Sequence, residues 1–221
     1  MSQQKTYRAI RHDIVRQKQA DNSSAVHHPD EKINQIHKVL DGQLKDASIL
    51  ELFAGRGNCT RHYEKYGKVH CYDKKYLKTG DSFREYHRLI ADNKIYDVID
   101  LDPYGFPNRL FPDIYLLIEN GFLFVTMPKP FVNIMNGITR THMISYYDEH
   151  NPPLDKILET YVNWGLCHWR EVQVIDVVDC NSIWRIALSV KKVKATEYTG
   201  VKNRPHEESV APPPDNQLEL F

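Results

Sequence analysis

A short apolar run, residues 48–53 (SILELF), leads at once into Ala54-Gly55-Arg56-Gly57, and a helical pattern follows over residues 58–66. A strand that must turn into a helix through two glycines leaves few architectures open. The run is short and apolar throughout, which suits a strand covered on both faces. Glycine supplies the positive φ and the close backbone approach that such a turn requires.

The unit recurs along the chain. Residues 68–72 (KVHCY) read as a second strand ending in Asp73, with Gly67 stopping the helix before it. Residues 96–101 (YDVIDL) read as a third, ending in Asp102-Pro103-Tyr104-Gly105. A helix is predicted over residues 111–120, then a fourth strand over 121–127 (GFLFVTM). A helix over 152–164 precedes two last strands, 171–178 and 182–190, separated by Asp179-Cys180-Asn181. Ahead of all of these, Ile33, Ile36, Val39 and Leu40 lie at helical spacing within residues 30–44, with Asp30 as the expected cap. Strands alternating with helices predict an α/β fold with a mostly parallel sheet and an antiparallel C-terminal edge hairpin.

Composition narrows the class. With 221 residues, 41% hydrophobic and 26% charged, the chain can form one globular domain plus extra segments. No apolar run approaches a bilayer span, and the opening MSQQKTYRAIRHD has no signal-peptide core, so a cytoplasmic protein without membrane contact is expected. Cys59, Cys71, Cys167 and Cys180 are scattered and read as free thiols. A Cys59/His62/His70/Cys71 metal site is not expected, because these residues fall on a helix and on diverging faces of a strand. The 29 basic and 29 acidic side chains exclude a polycation that coats nucleic acid, while leaving room for a local basic face. Lys5, Arg8, Arg11, Arg16 and Lys18 form such a basic arm within residues 1–20.

The loop Glu51-Leu52-Phe53-Ala54-Gly55-Arg56-Gly57 resembles the first motif of S-adenosyl-L-methionine (SAM)-dependent methyltransferases of the Rossmann-like class I fold. The resemblance implies SAM as cofactor. It places Glu51 near the methionine amino group, with Phe53, Ala54, Gly55 and Gly57 making room for the methionine end. A dinucleotide G-x-G-x-x-G is absent, since Thr60 stands where its third glycine would be, and no Gly-Lys-Ser/Thr marks a phosphate loop. Asp73, ending the second strand, is the candidate acid for ribose hydroxyls. Asp81 and Ser82 are expected toward the adenine, with Phe83 as another lining residue. Few residues separate Tyr72 from Asp81, so the helix and third strand usual at this point are shortened or missing.

Asp102-Pro103-Tyr104 carries the chemistry. An exocyclic amine about to be methylated needs an acceptor beside its nitrogen, which the Asp carboxylate and the Pro carbonyl supply. Proline also fixes φ and brings no competing N–H. An adjacent aromatic ring can stack on a base taken out of its helix. The string resembles the Asp/Asn-Pro-Pro-Tyr/Phe motif of N6-adenine DNA methyltransferases, without the second proline. It is closer still to the Asp-Pro-Phe/Tyr-Gly-x-Pro string of the tRNA guanine N2-dimethyltransferases, whose Gly-rich following strand is matched by Gly121–Thr126. That likeness covers residues 49–126, with no counterpart of the larger C-terminal tRNA-binding domain. C5-cytosine chemistry would need a Pro-Cys nucleophile, and none of the four cysteines follows a proline. Arg56, Arg61 and Arg109 are candidate phosphate contacts, and Thr139-Arg140-Thr141-His142 a candidate substrate loop.

The expected organisation is a helical arm (1–45), a methyltransferase domain (46–194), a disordered linker (195–216) and a terminal peptide (217–221). Gln217-Leu218-Glu219-Leu220-Phe221 resembles the Gln-Leu-x-Leu-Phe peptide with which bacterial proteins dock on the replication sliding clamp. The resemblance implies that Leu220 and Phe221 fill an apolar pocket while Gln217 and Leu218 contact a neighbouring subsite. The linker spans about 25 Å if flexible and about 70 Å if extended, so the domain can reach DNA beside a clamp. DNA, with N6 of adenine as target, is therefore the first expectation and tRNA the alternative. A non-catalytic clamp adaptor of the same fold would not require Glu51, Asp73 and Asp102. Changing Leu220 and Phe221 to Ala should weaken clamp binding by about 100-fold or more, as each buried anchor is worth about 1.5–3 kcal/mol. A fluorescent QLELF peptide titrated with purified clamp checks this; no binding of the native peptide at high micromolar clamp would exclude recruitment.

Overall fold

The computed structural model describes residues 28–130 and 143–194. The basic arm, Thr139-Arg140-Thr141-His142, the linker and the terminal pentapeptide lie outside those residues. Six strands form one sheet in the order β2-β1-β3-β4-β6-β5. Strands β1 (Ala47–Leu52), β2 (Gly67–Tyr72), β3 (Tyr96–Leu101) and β4 (Ile118–Pro128) are parallel. Strand β6 (Ile183–Lys192) runs antiparallel between β4 and the edge strand β5 (Arg170–Cys180). Among the described residues the helices include α1 (Pro29–Leu40), α2 (Thr60–Tyr63), α3 (Ser82–Ala91) and α4 (Leu154–Leu166). The expected α/β fold with an antiparallel edge pair is thus the observed one. No helix among the described residues is long and apolar enough to cross a membrane.

The order creates a crevice. From β1 the chain moves outward to β2, then returns through α3 to β3 on the other side of β1. Open α/β sheets bind ligands where the strand order reverses in this way, at the carboxyl ends of the strands. Among the described residues no strand lies between β2 and β3, as the short spacing implied, but α3 is a full helix of 10 residues. Asp81 caps it, its Oδ1 accepting from the Phe83 and Arg84 amides at 3.1 and 3.3 Å.

Several local expectations are corrected. Residues 111–120 form no α-helix: two 3₁₀ turns, Pro107–Leu110 and Asp113–Leu117, precede a β4 that already begins at Ile118. The apolar spacing there reflects packing, since Leu110, Ile114, Tyr115 and Leu117 are all buried. The helix after the glycine loop shrinks to Thr60–Tyr63. Asp30 is not the cap of α1: His28 takes that place, Pro29 opens the helix, and Asp30 lies in the first turn, where the helix dipole favours an acid. Gly67 does more than end a helix, because a Cβ there would lie 1.9 Å from the Ala47 carbonyl oxygen. Only glycine lets β2 start alongside β1.

Period-two alternation places one apolar set on each face of the sheet. Leu50, Leu52, Ile99, Leu101, Leu123 and Val125 pack with α3, α4 and the 3₁₀ turns. Ile49, Val98, Phe124 and Ala187 pack with Ile36, Val39 and Leu40 of α1 and Tyr63 of α2. On that second face, the positions two residues nearer the carboxyl ends of the parallel strands are polar and buried: Glu51, Asp100 and Thr126, with Arg185 on β6. Arg185 forms a two-pronged pair with Asp100, Nη1 to Oδ1 at 2.7 Å and Nη2 to Oδ2 at 2.6 Å. Tyr63 donates to Asp100 at 2.8 Å, Arg185 donates to Thr126 at 3.0 Å, and Gln35 of α1 donates to the Arg185 carbonyl at 3.1 Å.

This layer is the part of the core most sensitive to a single change. Arg185→Leu should lower the unfolding free energy by about 3–5 kcal/mol, because Asp100 would be left buried without its counter-charge. Adding Asp100→Leu should recover part of that loss. Urea unfolding measures both; an Arg185→Leu protein as stable as the parent would contradict the assignment.

Candidate functional site

A cavity of about 580 Å³ opens at the carboxyl ends of β1, β2 and β3. Each strand contributes where it ends: Phe53 and Gly55 after β1, Asp73 after β2, Asp102 and Tyr104 after β3. The turn after β1 runs through three positive-φ residues, Phe53 at 65°, Gly55 at 58° and Gly57 at 75°. Phe53 is held there by Ser82, whose Oγ accepts from the Phe53 amide at 3.0 Å and donates to the Tyr72 carbonyl at 2.9 Å. One hydroxyl thereby ties the ends of β1 and β2 to the start of α3. At Gly55 a Cβ would meet nothing nearer than the Phe53 carbonyl at 4.0 Å, so its backbone faces open space.

Asp73 organises the second wall. Its Oδ1 accepts from the Lys75 and Tyr76 amides at 2.8 and 2.6 Å, and its Oδ2 from the Gly55 amide at 3.2 Å. The carboxylate joins the glycine loop to the loop after β2 and lines the cavity. Arg56 stacks over the Tyr76 ring, 5.4 Å from its centroid, at the rim. Phe83 meets Phe53 edge to face, with centroids 5.2 Å apart.

Of the residues singled out in the sequence, Phe53, Gly55, Asp73, Asp81, Ser82, Asp102 and Tyr104 meet around this one cavity. Pro103 lines a smaller adjoining cavity that shares Phe53, Phe83 and Tyr104. Glu51, Ala54 and Gly57 are not on the wall of the first cavity. Glu51 is 3% exposed and accepts from the Thr60 hydroxyl at 2.5 Å. Burial, with Asp100 beside it, pushes its carboxyl well above the usual carboxylate range.

Asp102 is shifted the opposite way. Its side chain is 30% exposed, and Lys32 of α1, 7% exposed, donates to Oδ2 at 2.6 Å. Burial alone would raise this carboxyl, but Lys32 and then Arg185 outweigh it and hold Asp102 below the usual carboxylate range. A carboxylate held below its usual range at the cavity wall can accept hydrogen bonds but is a weak base.

The sequence reading missed Lys32, Asp100 and Arg185. For two of them the sequence holds a faint trace, though it names no partner. Lys32 and Gln35 extend the buried stripe of Ile36, Val39 and Leu40 as polar members of a helix face. Arg185 is a charge set in an otherwise apolar strand, IWRIALSV. Glu51, Cys59 and Asp100 place ligand atoms within 4.8 Å of one another. Arg185 and Tyr63 already occupy the Asp100 oxygens, and burial, with Asp100 beside it, drives the Cys59 thiol up, so the group does not suit a cation. All four cysteines are free thiols.

No protein-family model and no curated protein sequence matches the chain. Solved structures do. Trm1 from Pyrococcus horikoshii, determined with S-adenosyl-L-methionine, superposes with a TM-score of 0.57 at 14% identity, over 77% of this chain. This chain spans 56% of that protein's length. Fibrillarin from Aeropyrum pernix, with natively bound S-adenosyl-L-methionine, gives 0.45 at 10% identity, covering 66% of this chain and 67% of its own. The protein-(glutamine-N5) methyltransferase of Alicyclobacillus acidocaldarius gives 0.45 at 9%, covering 79% and 96%. The Trm1 match shows a shared Rossmann-like α/β fold.

Lys32 sets the charge state of Asp102, and the sign can be tested. With the folded pKa depressed, the pair stabilises the fold above the unfolded carboxyl value of about 4 and is lost as pH falls through the lower folded value. Without Lys32 the burial effect gains weight. Carbon-13 NMR of Lys32→Met should show Asp102 titrating at higher pH than in the parent; an unshifted titration would remove Lys32 from the site.

Proposed function

We propose that the chain is a SAM-dependent methyltransferase that modifies an exocyclic amine of a nucleobase. The observation that carries this reading is that the Asp102 carboxylate opens on the same cavity as the Gly55 turn and Asp73. The cavity has the features such a cofactor requires: a glycine turn facing open space, an acid ending β2, and an aromatic wall from Phe53 and Phe83. Asp73 would hold the ribose, Phe83 would flank the adenine and the Gly55 turn would hold the methionine end. The bound cofactor supplies an electrophilic methyl group, whose bond to sulfur breaks as the amine's lone pair forms the new carbon–nitrogen bond. Asp102 and the Pro103 carbonyl accept hydrogen bonds from the amine and turn its lone pair toward that methyl group. Because Lys32 keeps Asp102 ionised, its role is orientation and charge stabilisation, and the surplus proton on nitrogen leaves to water.

The clamp-like tail supports DNA as the substrate, with N6 of adenine as the target and the sliding clamp as partner. A second reading, guanine N2 of tRNA, is favoured by the string Asp102-Pro103-Tyr104-Gly105-Phe106-Pro107. Labelled SAM offered to DNA and tRNA in parallel, with nucleoside mass spectrometry of the products, separates the two.

Two variants test the site within that assay. Gly55→Asp forces a side chain onto a positive-φ residue and a negative charge into the cavity. It should abolish SAM binding in a folded protein, as read by calorimetry. Asp102→Ala should keep SAM affinity and lose turnover by about 100-fold or more. Unchanged SAM affinity in the first, or near-normal turnover in the second, would place the site elsewhere.

A further inference from the structure

The smaller cavity, about 290 Å³, adjoins the first and shares its aromatic partition of Phe53, Phe83 and Tyr104. Phe106 and Tyr146 add two more rings, and Pro103 borders it next to Asp102. An aromatic slot of this kind suits a flat heterocycle. Asn108 and Arg109 are the polar exceptions in that lining, and of the two Asn108 is the buried one. Asn108, on the 3₁₀ turn Pro107–Leu110, is 1% exposed. The Tyr147 hydroxyl donates to its Oδ1 at 3.3 Å, which uses the acceptor end of the amide. Its Nδ2 is buried and has no hydrogen-bond partner among the described residues. A buried amide donor without an acceptor is costly, and native structures rarely retain one unless something else satisfies it.

We infer that this slot receives the ring whose amine is methylated, and that Asn108 Nδ2 reads a hydrogen-bond acceptor on that ring. The inference rests on the nucleobase reading above and adds the specificity determinant to it. An amine held at Asp102 and Pro103 leaves the rest of its ring between the aromatic walls. The ring nitrogens flanking the amine of adenine are acceptors, so a fixed donor discriminates them from a C–H at the same place. Asn108 is then a specificity residue. Arg109, whose guanidinium stacks 4.9 Å from the Phe83 centroid, lines the same slot and is placed for the phosphate of the displaced nucleotide.

The test uses the full chain and SAM with single-stranded oligodeoxynucleotides carrying adenine, 1-deazaadenine or 7-deazaadenine, and with tRNA. Asn108→Leu and Asn108→Ala both remove the donor. Each should bind SAM within about twofold of the parent by calorimetry, yet lose methyl transfer by about 100-fold. The parent should lose a similar factor on one deaza analogue, and the variants should lose nothing more on it. If transfer goes to tRNA alone, the two variants must lose it by the same factor. An Asn108→Leu or Asn108→Ala protein with parental transfer, or losses from variant and analogue that multiply, would overturn the slot assignment alone. A parent that binds SAM but methylates neither nucleic acid would overturn the nucleobase reading itself.

Discussion

The ion pair between Asp100 and Arg185 fixes the geometry on which everything at the carboxyl edge depends. Both side chains are removed from water, 1% and 0% exposed, so neither charge survives without the other. Their two-pronged contact joins β3 to β6, and Thr126 brings in β4. Tyr63 anchors α2 to the same carboxylate, while Gln35 ties α1 to the backbone of Arg185. Two residues beyond Asp100, on the same face of the strand, stands Asp102. Its carboxylate is held by Lys32, which donates to Oδ2 at 2.6 Å.

Two neighbouring acids are thus shifted in opposite directions: burial raises the Glu51 carboxyl despite Arg185 in the same layer, whereas Lys32 holds Asp102 below the usual carboxylate range at the cavity. The difference comes from partners supplied by distant parts of the chain. Lys32 reaches Asp102 only because α1 lies across the sheet, its apolar stripe buried on the same face as Ile49, Val98 and Phe124. The helix before the first strand is in this sense part of the site, and its polar residues at 32 and 35 are as buried as its apolar ones.

Much of the fold was legible from sequence. The strands follow from apolar runs bounded by glycine, proline and acids, and the glycine loop places the crevice. The turn over residues 111–120 was misread because buried apolar residues in 3₁₀ turns recur much as they do on a helix, and periodicity cannot separate the two over so short a span. The meeting of Gly55, Asp73 and Asp102 at one cavity was legible because each stands at a strand end, where position along the strand fixes position in space. Lys32 and Arg185 were not, because their partners lie 70 and 85 residues away in the chain and only the topology brings them together. Asn108 belongs with these: its sequence neighbours say nothing of the aromatic walls around it.

The central claim is that one cavity at the ends of β1, β2 and β3 holds the cofactor with its reactive end toward Asp102. A crystal structure of the full chain with S-adenosylhomocysteine tests this directly. Adenosine density is expected between Asp73 and Phe83, the amino-acid end over the Gly55 turn, and the sulfur facing the Asp102 carboxylate across the mouth of the aromatic slot. Density elsewhere on the protein, or a sulfur turned away from Asp102, would contradict it.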